Sequence, residues 1–344
     1  MIPDWERQRA FEISEASHTA EVRRFAAQLA KGAGFSESAA GSVAIATTEL
    51  STNLLKHASG GKIVVRPLAD HSARGVEFAR GVELLSLDRG AGIGNFTQCL
   101  RDGYSTAGSA GTGLGAIARL ASELDVQTAP GKGTAVMARF WAGKLGGAPT
   151  DQIEVGAVCM PMPGEERCGD GWGYEPLADR CIFVLVDGLG HGLGAAEAAE
   201  QAVASVREHR TKAPAVIIEY AHDALRGTRG AAIAVAEVNF TQQVLRYCGI
   251  GNISATIVTG SGLRHLVSYN GIAGHAVRKI SEFTYPWTAD SLLIMHSDGL
   301  MSRWDLQAYP GLMQRHPSVI AGVLYRDFVR DRDDVTVLAA KEWR

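Results

Sequence analysis

Apolar positions in the first part of the chain recur at helical spacing and then give way to short strand-like runs. The spacing predicts a helix that stops near residues 32–34 and a second helix from about 36 to 58. Two strands are predicted at 62–67 and 82–88. A short helix is predicted after 112–115, and a hairpin turn at 130–133. This order predicts an α+β layer with helices over one face of a sheet.

After residue 152 the pattern changes to many short apolar runs, interrupted by two helical segments. Strands are predicted at 153–160, 180–187, 231–238, 243–248, 254–259, 291–297 and 335–340. Helices are predicted at about 193–208 and 213–225. Runs of strands around a helical pair favour two sheets packed face to face, with the helices outside them.

The length of 344 residues exceeds one ordinary core, so two domains are expected. We predict a first domain at 1–142, a linker at 143–151 and a second domain at 152–344. The predicted linker reads Gly-Lys-Leu-Gly-Gly-Ala-Pro-Thr-Asp, which is rich in residues that interrupt regular structure. Because 46% of the residues are apolar and 21% are charged, both halves can bury a core.

Charge and cysteine usage exclude several classes of function. A net charge of −3 without a long basic run argues against nucleic-acid binding, which needs clustered Lys and Arg. No stretch approaches the roughly 18 apolar residues of a membrane helix, and residues 1–10 lack the apolar core of a secretory signal. The five cysteines contain no C-x-x-C pair and are interpreted as reduced thiols in a cytoplasmic protein. Arg326, Arg330 and Arg332 alternate with aspartates, which predicts a solvated segment.

Polar and glycine-rich segments of the first half occur in the order of a nucleotide site. Glu49 and Asn53 lie four residues apart and project from one helix face, and Lys56 and His57 lie a turn further on. Downstream come a strand-end aspartate, three glycines and a second glycine-rich cluster before a helix: Asp88, Gly90, Gly92, Gly94, Gly111, Thr112, Gly113, Leu114 and Gly115. Taken singly, each piece is more often a solvated helix face or a tight turn.

Each residue type suits one part of a bound nucleotide. Glycines let backbone N–H groups approach phosphates, and a helix N-terminus adds a partial positive charge. An Asn oxygen suits Mg²⁺, which prefers few protein ligands together with phosphates. A neighbouring carboxylate can accept the proton of an attacking hydroxyl group. The conjunction therefore predicts a site for ATP and Mg²⁺.

These segments resemble the GHKL ATPase superfamily, in particular its anti-sigma-factor serine kinases of the RsbT and RsbW type. The resemblance covers about residues 10–142 and implies the GHKL (Bergerat) α/β sandwich. Residues 49–58 resemble the N-box, and the resemblance implies that its two basic residues, Lys56 and His57, contact the nucleotide. Residues 88–92 resemble the first glycine box, and residues 111–115 resemble the second.

The resemblance also implies a role for individual residues of the first half. Glu49 would be the catalytic base, Asn53 would hold Mg²⁺, and Asp88 would pair with the adenine amino group. Residues 111–115 would close over the phosphates. Thr134, near the last strand of this half, is expected to support Asp88.

Aspartates beside glycines recur in the second half. Asp187 and Asp298 each end an apolar run, so a strand would fix the direction of the carboxylate, and Asp170, Asp333 and Asp334 complete the series. Asp-Gly is a common turn dipeptide, and a single instance is more often only a turn. Several such sites in one β-rich domain offer hard oxygen ligands, which favour Mg²⁺ or Mn²⁺ over zinc. Two ions of this kind can orient a phosphoryl group for attack by water.

This half resembles the PPM-type metal-dependent protein phosphatases of the SpoIIE and RsbX branch, over about residues 152–341, with a β-sandwich flanked by helices. The resemblance implies two Mn²⁺ or Mg²⁺ ions and four ligand residues: Asp187, which bridges both ions, Gly188, through its carbonyl, Asp298 and Asp333. Asp170 would contact a metal or its water, and Asp334 stays an alternative to Asp333. The Gly171–Gly173 segment departs from the SpoIIE pattern, fits RsbX-like members better and leaves the metal count open.

The two resemblances imply a bifunctional partner-switching regulator. Its kinase half would phosphorylate a serine or threonine of a STAS-type antagonist protein, and its phosphatase half would remove phosphate from that protein or a related one. A sigma factor or downstream activator is a further possible partner, and a homodimer is possible. The alternative is a phosphatase whose first domain only senses ATP or ADP or docks a partner; the intact Glu49 favours the kinase. A purely structural scaffold is least favoured.

Overall fold

The computed structural model describes most of the chain, in stretches that cover residues 8–69, 80–94, 113–143 and 152–343. Contacts between residues divide the chain into two compact units. The first comprises Met1–Thr150 and Asp305–Arg326, and the second comprises Asp151–Trp304 and Asp327–Arg344. The predicted linker lies almost wholly outside the described residues, and the predicted domain limits stay a prediction.

The first unit contains an antiparallel sheet with helices packed on one face. Its strands are β1 (Arg9–Ile13), β2 (Gly61–Ala69), β3 (Arg80–Leu87), β4 (Glu123–Thr128) and β5 (Thr134–Trp141). The helices on that face are α1 (Ala16–Gly32), α2 (Glu37–His57) and α3 (Gly113–Leu120). The strand order is β1-β2-β3-β5-β4, and an apolar core lies between helices and sheet. This layer confirms the α+β fold expected for the first half.

Helix α2 is defined by its cap and by one buried stripe. Ser36 caps the N-terminus, where its side chain accepts a hydrogen bond from the Ala39 N–H at 3.2 Å. Val43, Leu50 and Leu54 recur at helical spacing and are fully buried against the sheet. This stripe fixes the rotation of the helix, and it leaves Glu49 and Asn53 half-buried beside it.

The second face of the same sheet is covered by the segment Asp305–Arg326. Side chains alternate across a strand, so Leu84 of β3 enters the helical core while Glu83, Leu85 and Leu87 point the other way. This segment contains most of α6 (Pro317–Phe328). At Gly322 a Cβ would lie only 2.8 Å from a Leu85 methyl group and 3.0 Å from a Leu87 methyl group, so the helix packs closely on these leucines.

The prediction that Arg326 lies in a solvated segment is wrong. Its residue is 8% exposed, and its Nη1 donates to the Asp88 backbone oxygen at 2.8 Å, while Arg89 donates to the Arg326 backbone oxygen. The alternation of charges suggested a polar surface, but Arg326 lies in the last turn of α6, and all the residues before it in this helix are buried. A guanidinium group can be buried when carbonyl oxygens accept its hydrogen bonds.

The second unit contains two five-stranded sheets and a pair of helices. Its strands are β6 (Ile153–Met160), β7 (Asp170–Pro176), β8 (Arg180–Gly188), β9 (Ala231–Asn239), β10 (Val244–Ile250), β11 (Ser254–Thr259), β12 (Gly262–His265), β13 (Phe283–Pro286), β14 (Leu292–His296) and β15 (Val335–Glu342). The helices are α4 (Leu193–Glu208) and α5 (Pro214–Ala224). The sheet orders are β13-β10-β9-β8-β7 and β12-β11-β14-β15-β6.

One apolar core lies between these two sheets, and another lies between α4, α5 and the β8–β9 sheet. This arrangement confirms the predicted sandwich with helices outside it. Within the described residues, none of the helices combines the length and apolarity that a membrane crossing needs. The register of β7 on β8 places Asp170 opposite Asp187, which begins the site described below.

Candidate functional site

In the first unit, two polar side chains of α2 face the N-terminus of α3. A Cβ added to Gly113 would lie 2.9 Å from Glu49 Oε2 and 3.6 Å from Asn53 Oδ1. Glycine therefore leaves room for these oxygens directly beside the first N–H groups of the helix, where anions are stabilised. Leu114 and Gly115 belong to the same first turn, whereas Gly111 and Thr112 lie outside the described residues.

Asp88 follows β3 and is fixed by two backbone donors. Its Oδ1 accepts hydrogen bonds from the Gly90 N–H at 2.7 Å and from the Thr134 N–H at 3.1 Å. Burial raises the pKa of Asp88 above its usual range, although both hydrogen bonds act in the opposite direction. The main chain of Thr134 thus helps to orient the Asp88 carboxylate, and the role expected for Thr134 in a nucleotide site stays a prediction.

Close backbone approaches account for two of the glycines after Asp88. Gly92 has a φ of +72°, and a Cβ there would lie 2.0 Å from the Ala129 oxygen. A Cβ at Gly90 would lie 2.9 Å from the Ala58 Cβ, at the end of α2. A Cβ at Gly94 would meet no atom of the described residues within 4 Å, and Lys56 and His57 are exposed on the last turn of α2.

These groups fit ATP and Mg²⁺ by their chemistry. A carboxylate and an amide oxygen stand beside the N-terminus of α3, which suits a magnesium-bound phosphate chain. Asp88, directly after β3, presents an oriented carboxylate, and a carboxylate is an acceptor for an amino group. The structure brings together Glu49, Asn53 and Gly113, and separately Asp88, Gly90 and Thr134.

In the second unit, Asp170 and Asp187 occupy paired positions on β7 and β8. Asp170 is buried, and its Oδ2 accepts a hydrogen bond from Ser297 Oγ at 2.6 Å. Burial, followed by the Asp187 charge, raises the pKa of Asp170 well above its usual range. Burial, followed by the charges of Asp298 and Asp333, raises the pKa of Asp187 to about 7. This crowding of carboxylates is a site of strong negative potential that a divalent cation relieves.

The remaining aspartates of the cluster differ in burial. Asp298 is half-buried and accepts a hydrogen bond from Asn252 Nδ2 at 2.7 Å. Asp333 is exposed, whereas Asp334 is buried and its Oδ1 accepts from the Met162 N–H at 2.9 Å. Asp334 Oδ2 is buried and has no hydrogen-bond partner. Both Asp333 and Asp334 raise the pKa of Asp187, so either can contribute to the site.

The cluster offers oxygen donors that suit a divalent ion, but in their present orientations the side chains do not converge on one ion. Among the described residues, no three Asp, Glu, His or Cys side chains are arranged to hold one ion as they stand. The physical reason is that Asp170, Asp298 and Asp334 each accept a hydrogen bond from the protein instead. Burial raises the pKa of Asp334, one of whose buried oxygens has no hydrogen-bond partner, so a cation bound there would stabilise the ionised carboxylate.

Replacing Gly299 with Ala is expected to destabilise the second unit by about 2 kcal/mol or more, because overpacking shifts the backbone. A Cβ at Gly299 would lie 2.0 Å from the backbone carbonyl oxygen of Asp334. The control is Gly260→Ala, where the nearest atom to the new Cβ is 4.0 Å away. Urea unfolding of both variants measures the difference. Equal midpoints for the two variants would contradict the close approach as the reason for glycine after Asp298.

Some residues at the site were not assigned a role from the sequence. Ser297 holds Asp170, and the Met162 main chain holds Asp334, but a serine hydroxyl and a main-chain N–H carry little sequence signal. Asn252 was part of a matched segment, and the structure shows its amide on Asp298. Arg229 lies over the loop that follows Asp187 and donates to the His191 oxygen at 3.2 Å.

Comparison with known protein families matches both units in tandem. The family described as "Histidine kinase-like ATPase domain" matches residues 13–140, and "Stage II sporulation protein E (SpoIIE)" matches residues 178–342. The chain joins a histidine kinase-like ATPase domain to a SpoIIE-type PP2C phosphatase domain. The resemblance seen in the sequence is thereby confirmed for both halves.

Individual relatives match parts of this tandem. "Serine/threonine-protein kinase RsbT" of Bacillus subtilis (strain 168) is 29% identical over 120 residues, which are 35% of this chain and 86% of the relative. "Phosphoserine phosphatase RsbX" of the same organism is 28% identical over 151 residues, 44% of this chain and 76% of the relative. A solved structure described as "The bacterial stressosome: a modular system that has been adapted to control secondary messenger signaling" is 28% identical. The match covers 56% of this chain and 100% of the chain in that structure, with a TM-score of 0.53.

Proposed function

We propose that the chain is a partner-switching regulator that both phosphorylates and dephosphorylates serine or threonine residues of small antagonist proteins. The observation that carries the proposal is the presence of two separate constellations in one chain. One is the Glu49, Asn53 and Gly113 group, and the other is the cluster around Asp187. Relatives named as a kinase and as a phosphoserine phosphatase support one activity for each half.

In the kinase half, each residue acts on a different part of the reaction. Glu49 is placed to accept the proton of the attacking hydroxyl group, and Asn53 to hold Mg²⁺. Asp88 recognises the adenine amino group, because two backbone N–H groups hold its carboxylate in one orientation. The N-terminus of α3 stabilises the phosphate charge.

In the phosphatase half, bound Mn²⁺ or Mg²⁺ ions activate water and neutralise phosphoryl charge. Asp187, Asp298 and the Gly188 carbonyl are proposed as ligands, together with Asp333 or Asp334. Asp170 stays oriented by Ser297 and extends the negative potential of the cluster. The number of ions is proposed as two.

The substrate is proposed to be a STAS-type antagonist protein, with a sigma factor or downstream activator as a further partner. The support is the likeness to RsbT, to RsbX and to a structure described as belonging to the bacterial stressosome. Labelled Mg²⁺-ATP incubated with the full chain and purified STAS candidates tests this proposal. Transfer of label to a serine or threonine is expected, and its absence from every candidate would contradict the kinase activity.

Glu49→Gln is expected to reduce phosphate transfer by roughly 10²–10⁴-fold, which is the usual contribution of a general base. Nucleotide binding should remain, because the amide keeps the size of the side chain. The matched control is Glu37→Gln in the first turn of the same helix, which is exposed and should transfer normally. Calorimetric titration of ATP and the label assay measure the two properties. If Glu49→Gln transfers as fast as the control, Glu49 is not the general base. If the unmodified chain binds ATP but transfers no label, the first domain is a nucleotide-sensing or docking module.

Kinase and phosphatase action on one phosphosite at the same time would only hydrolyse ATP. We therefore expect distinct substrates for the two halves, or reciprocal control of the two activities. Equal rates of both activities on one site under a single condition would contradict this expectation.

A further inference from the structure

Cys159 and Cys168 form a thiol pair beside the aspartate cluster. Their Sγ atoms are 3.5 Å apart, although nine positions separate them in sequence. Neither forms a disulfide, and both residues are half-buried. We propose that this pair is a reversible disulfide site, at which oxidation by a hydroperoxide weakens divalent-ion binding at the Asp187 cluster. The proposal rests on that cluster being the metal site of the proposed phosphatase.

The two sulfur atoms are close enough for a bond after a small displacement. A disulfide requires about 2.05 Å between the sulfur atoms, so they must approach by about 1.5 Å. Cys159 lies in β6, where Thr336 of β15 is its partner, and it is held by the sheet. Cys168 lies in the connection between β6 and β7, outside any strand. The connection is therefore the part that moves when the bond forms.

That movement acts directly on the aspartate cluster. Gly169 follows Cys168, and its oxygen accepts a hydrogen bond from the Gly188 N–H at 3.0 Å. A Cβ at Gly169 would lie 2.6 Å from Asp334 Oδ2, so this backbone has almost no free space toward the carboxylate. At the other end of the connection, the Met162 N–H holds Asp334 Oδ1 at 2.9 Å. Drawing Cys168 toward Cys159 therefore displaces groups that border Gly188 and Asp334.

The chemical step is balanced by the hydroperoxide alone. One thiol attacks the peroxide, its sulfur is oxidised to a sulfenic acid, and an alcohol or water leaves as the oxygen–oxygen bond breaks. The second thiol then attacks the sulfenic sulfur, a sulfur–sulfur bond forms and water leaves. Two thiols thus lose two electrons and two protons, and the peroxide accepts them. A dithiol reductant reverses the step by exchange.

Metal binding and disulfide formation are thermodynamically linked, so each changes the equilibrium constant of the other by the same factor. If the disulfide weakens the affinity for a divalent ion by some factor, the bound ion disfavours the disulfide by the same factor. Displaced groups around metal ligands typically change the affinity by about 10–100-fold. This reciprocity gives a readout that does not depend on enzymatic turnover.

The experiment uses the full chain, oxidised with hydrogen peroxide and then freed of it. Peptide mapping is expected to show Cys159 linked to Cys168, and calorimetric titration is expected to show at least about tenfold weaker Mn²⁺ binding. Dithiothreitol should restore the affinity. In a glutathione redox buffer, saturating Mg²⁺ should shift the disulfide equilibrium toward the thiols by a similar factor.

Two variants serve as controls. Cys168→Ser should keep its Mn²⁺ affinity after peroxide, whereas Cys99→Ser, which leaves the pair intact, should respond as the unmodified chain does. Absence of the Cys159–Cys168 link after oxidation overturns the proposal, and a link with unchanged Mn²⁺ affinity overturns its regulatory part. If no phosphatase turnover is found with any metal, either alone or with a candidate partner present, the phosphatase part of the proposed function fails, while the thiol and binding measurements still decide this inference.

Discussion

Asp187→Asn is expected to abolish metal-dependent phosphatase activity, with a loss on the order of 10³-fold in turnover. Asp187 ends β8 at the most crowded point of the aspartate cluster, where burial and the neighbouring carboxylates raise its pKa to about 7. The amide removes one negative charge and one ligand oxygen from that point. Hydrolysis of p-nitrophenyl phosphate and of a phosphoserine peptide, with and without Mn²⁺, measures the effect.

A matched substitution separates the site from a general effect of charge. Asp223→Asn changes an aspartate of α5 that is 68% exposed and paired with Arg226, and its turnover should stay within about twofold. If Asp187→Asn retains Mn²⁺-dependent turnover within tenfold of the unmodified chain, the catalytic metal site lies elsewhere. If the unmodified chain shows no turnover with any metal, the phosphatase domain needs its partner in order to act.

Glu83→Gln is expected to destabilise the first unit by about 3–5 kcal/mol, because it removes the buried negative charge that faces two buried guanidinium groups. Glu83 is buried, and its carboxylate lies 2.9 Å from Arg66 Nη2 and 2.7 Å from Arg139 Nε. Ser318, from the segment Asp305–Arg326, also donates to it at 2.8 Å. Amide hydrogen exchange of β3 and β5 measures the local free energy of opening, without requiring the whole chain to unfold as one unit.

Low pH should remove from the unmodified chain the stabilisation that ionised Glu83 provides. Burial alone would raise the pKa of Glu83, but Arg66 and Arg139 outweigh it and lower the pKa from 4.5 to about 2. A lowered pKa means that the stabilisation is complete above about pH 4.5 and is lost as the pH falls toward 2. The difference in stability between the unmodified chain and Glu83→Gln should therefore shrink across this range. A difference that does not change with pH would contradict the ionised form of Glu83.

Glu123→Gln is the control for the same cluster. The Glu123 side chain is one-third exposed, and its Oε2 lies 3.4 Å from Arg139 Nη1. Solvent screens this pair, so its loss should cost at most about 1 kcal/mol. An equal cost for Glu83 and Glu123 would mean that burial does not decide the strength of these ion pairs.

Much of the fold and the main residues of both sites could be predicted from sequence, because their signals are local. The helical stripe that buries Leu50 and Leu54 also fixes where Glu49 and Asn53 point. Asp187 directly follows a run of buried strand residues, and that run is visible without any tertiary information. Strands such as β1, β7 and β13 were missed because they are short or carry few fully buried side chains.

Features that depend on distant parts of the chain could not be predicted. Glu83 reads as an ordinary polar position within a strand, and only Ser318 and two arginines explain its burial. The thiol pair has no recognisable spacing, because the connection between β6 and β7 brings Cys168 back to Cys159. In each case the physical cause is a contact whose partner local periodicity does not reveal.

The cover that Asp305–Arg326 provides for the first sheet has a consequence for synthesis of the chain. Domains usually fold as they leave the ribosome, with the N-terminal one first. Here α6 covers Leu85 and Leu87, so among the described residues this cover of the first unit forms only after the chain has been translated as far as the segment Asp305–Arg326. During that interval an apolar sheet face is available to chaperones or to another nascent chain. Completion of the ATPase domain is thus tied to completion of the phosphatase sequence.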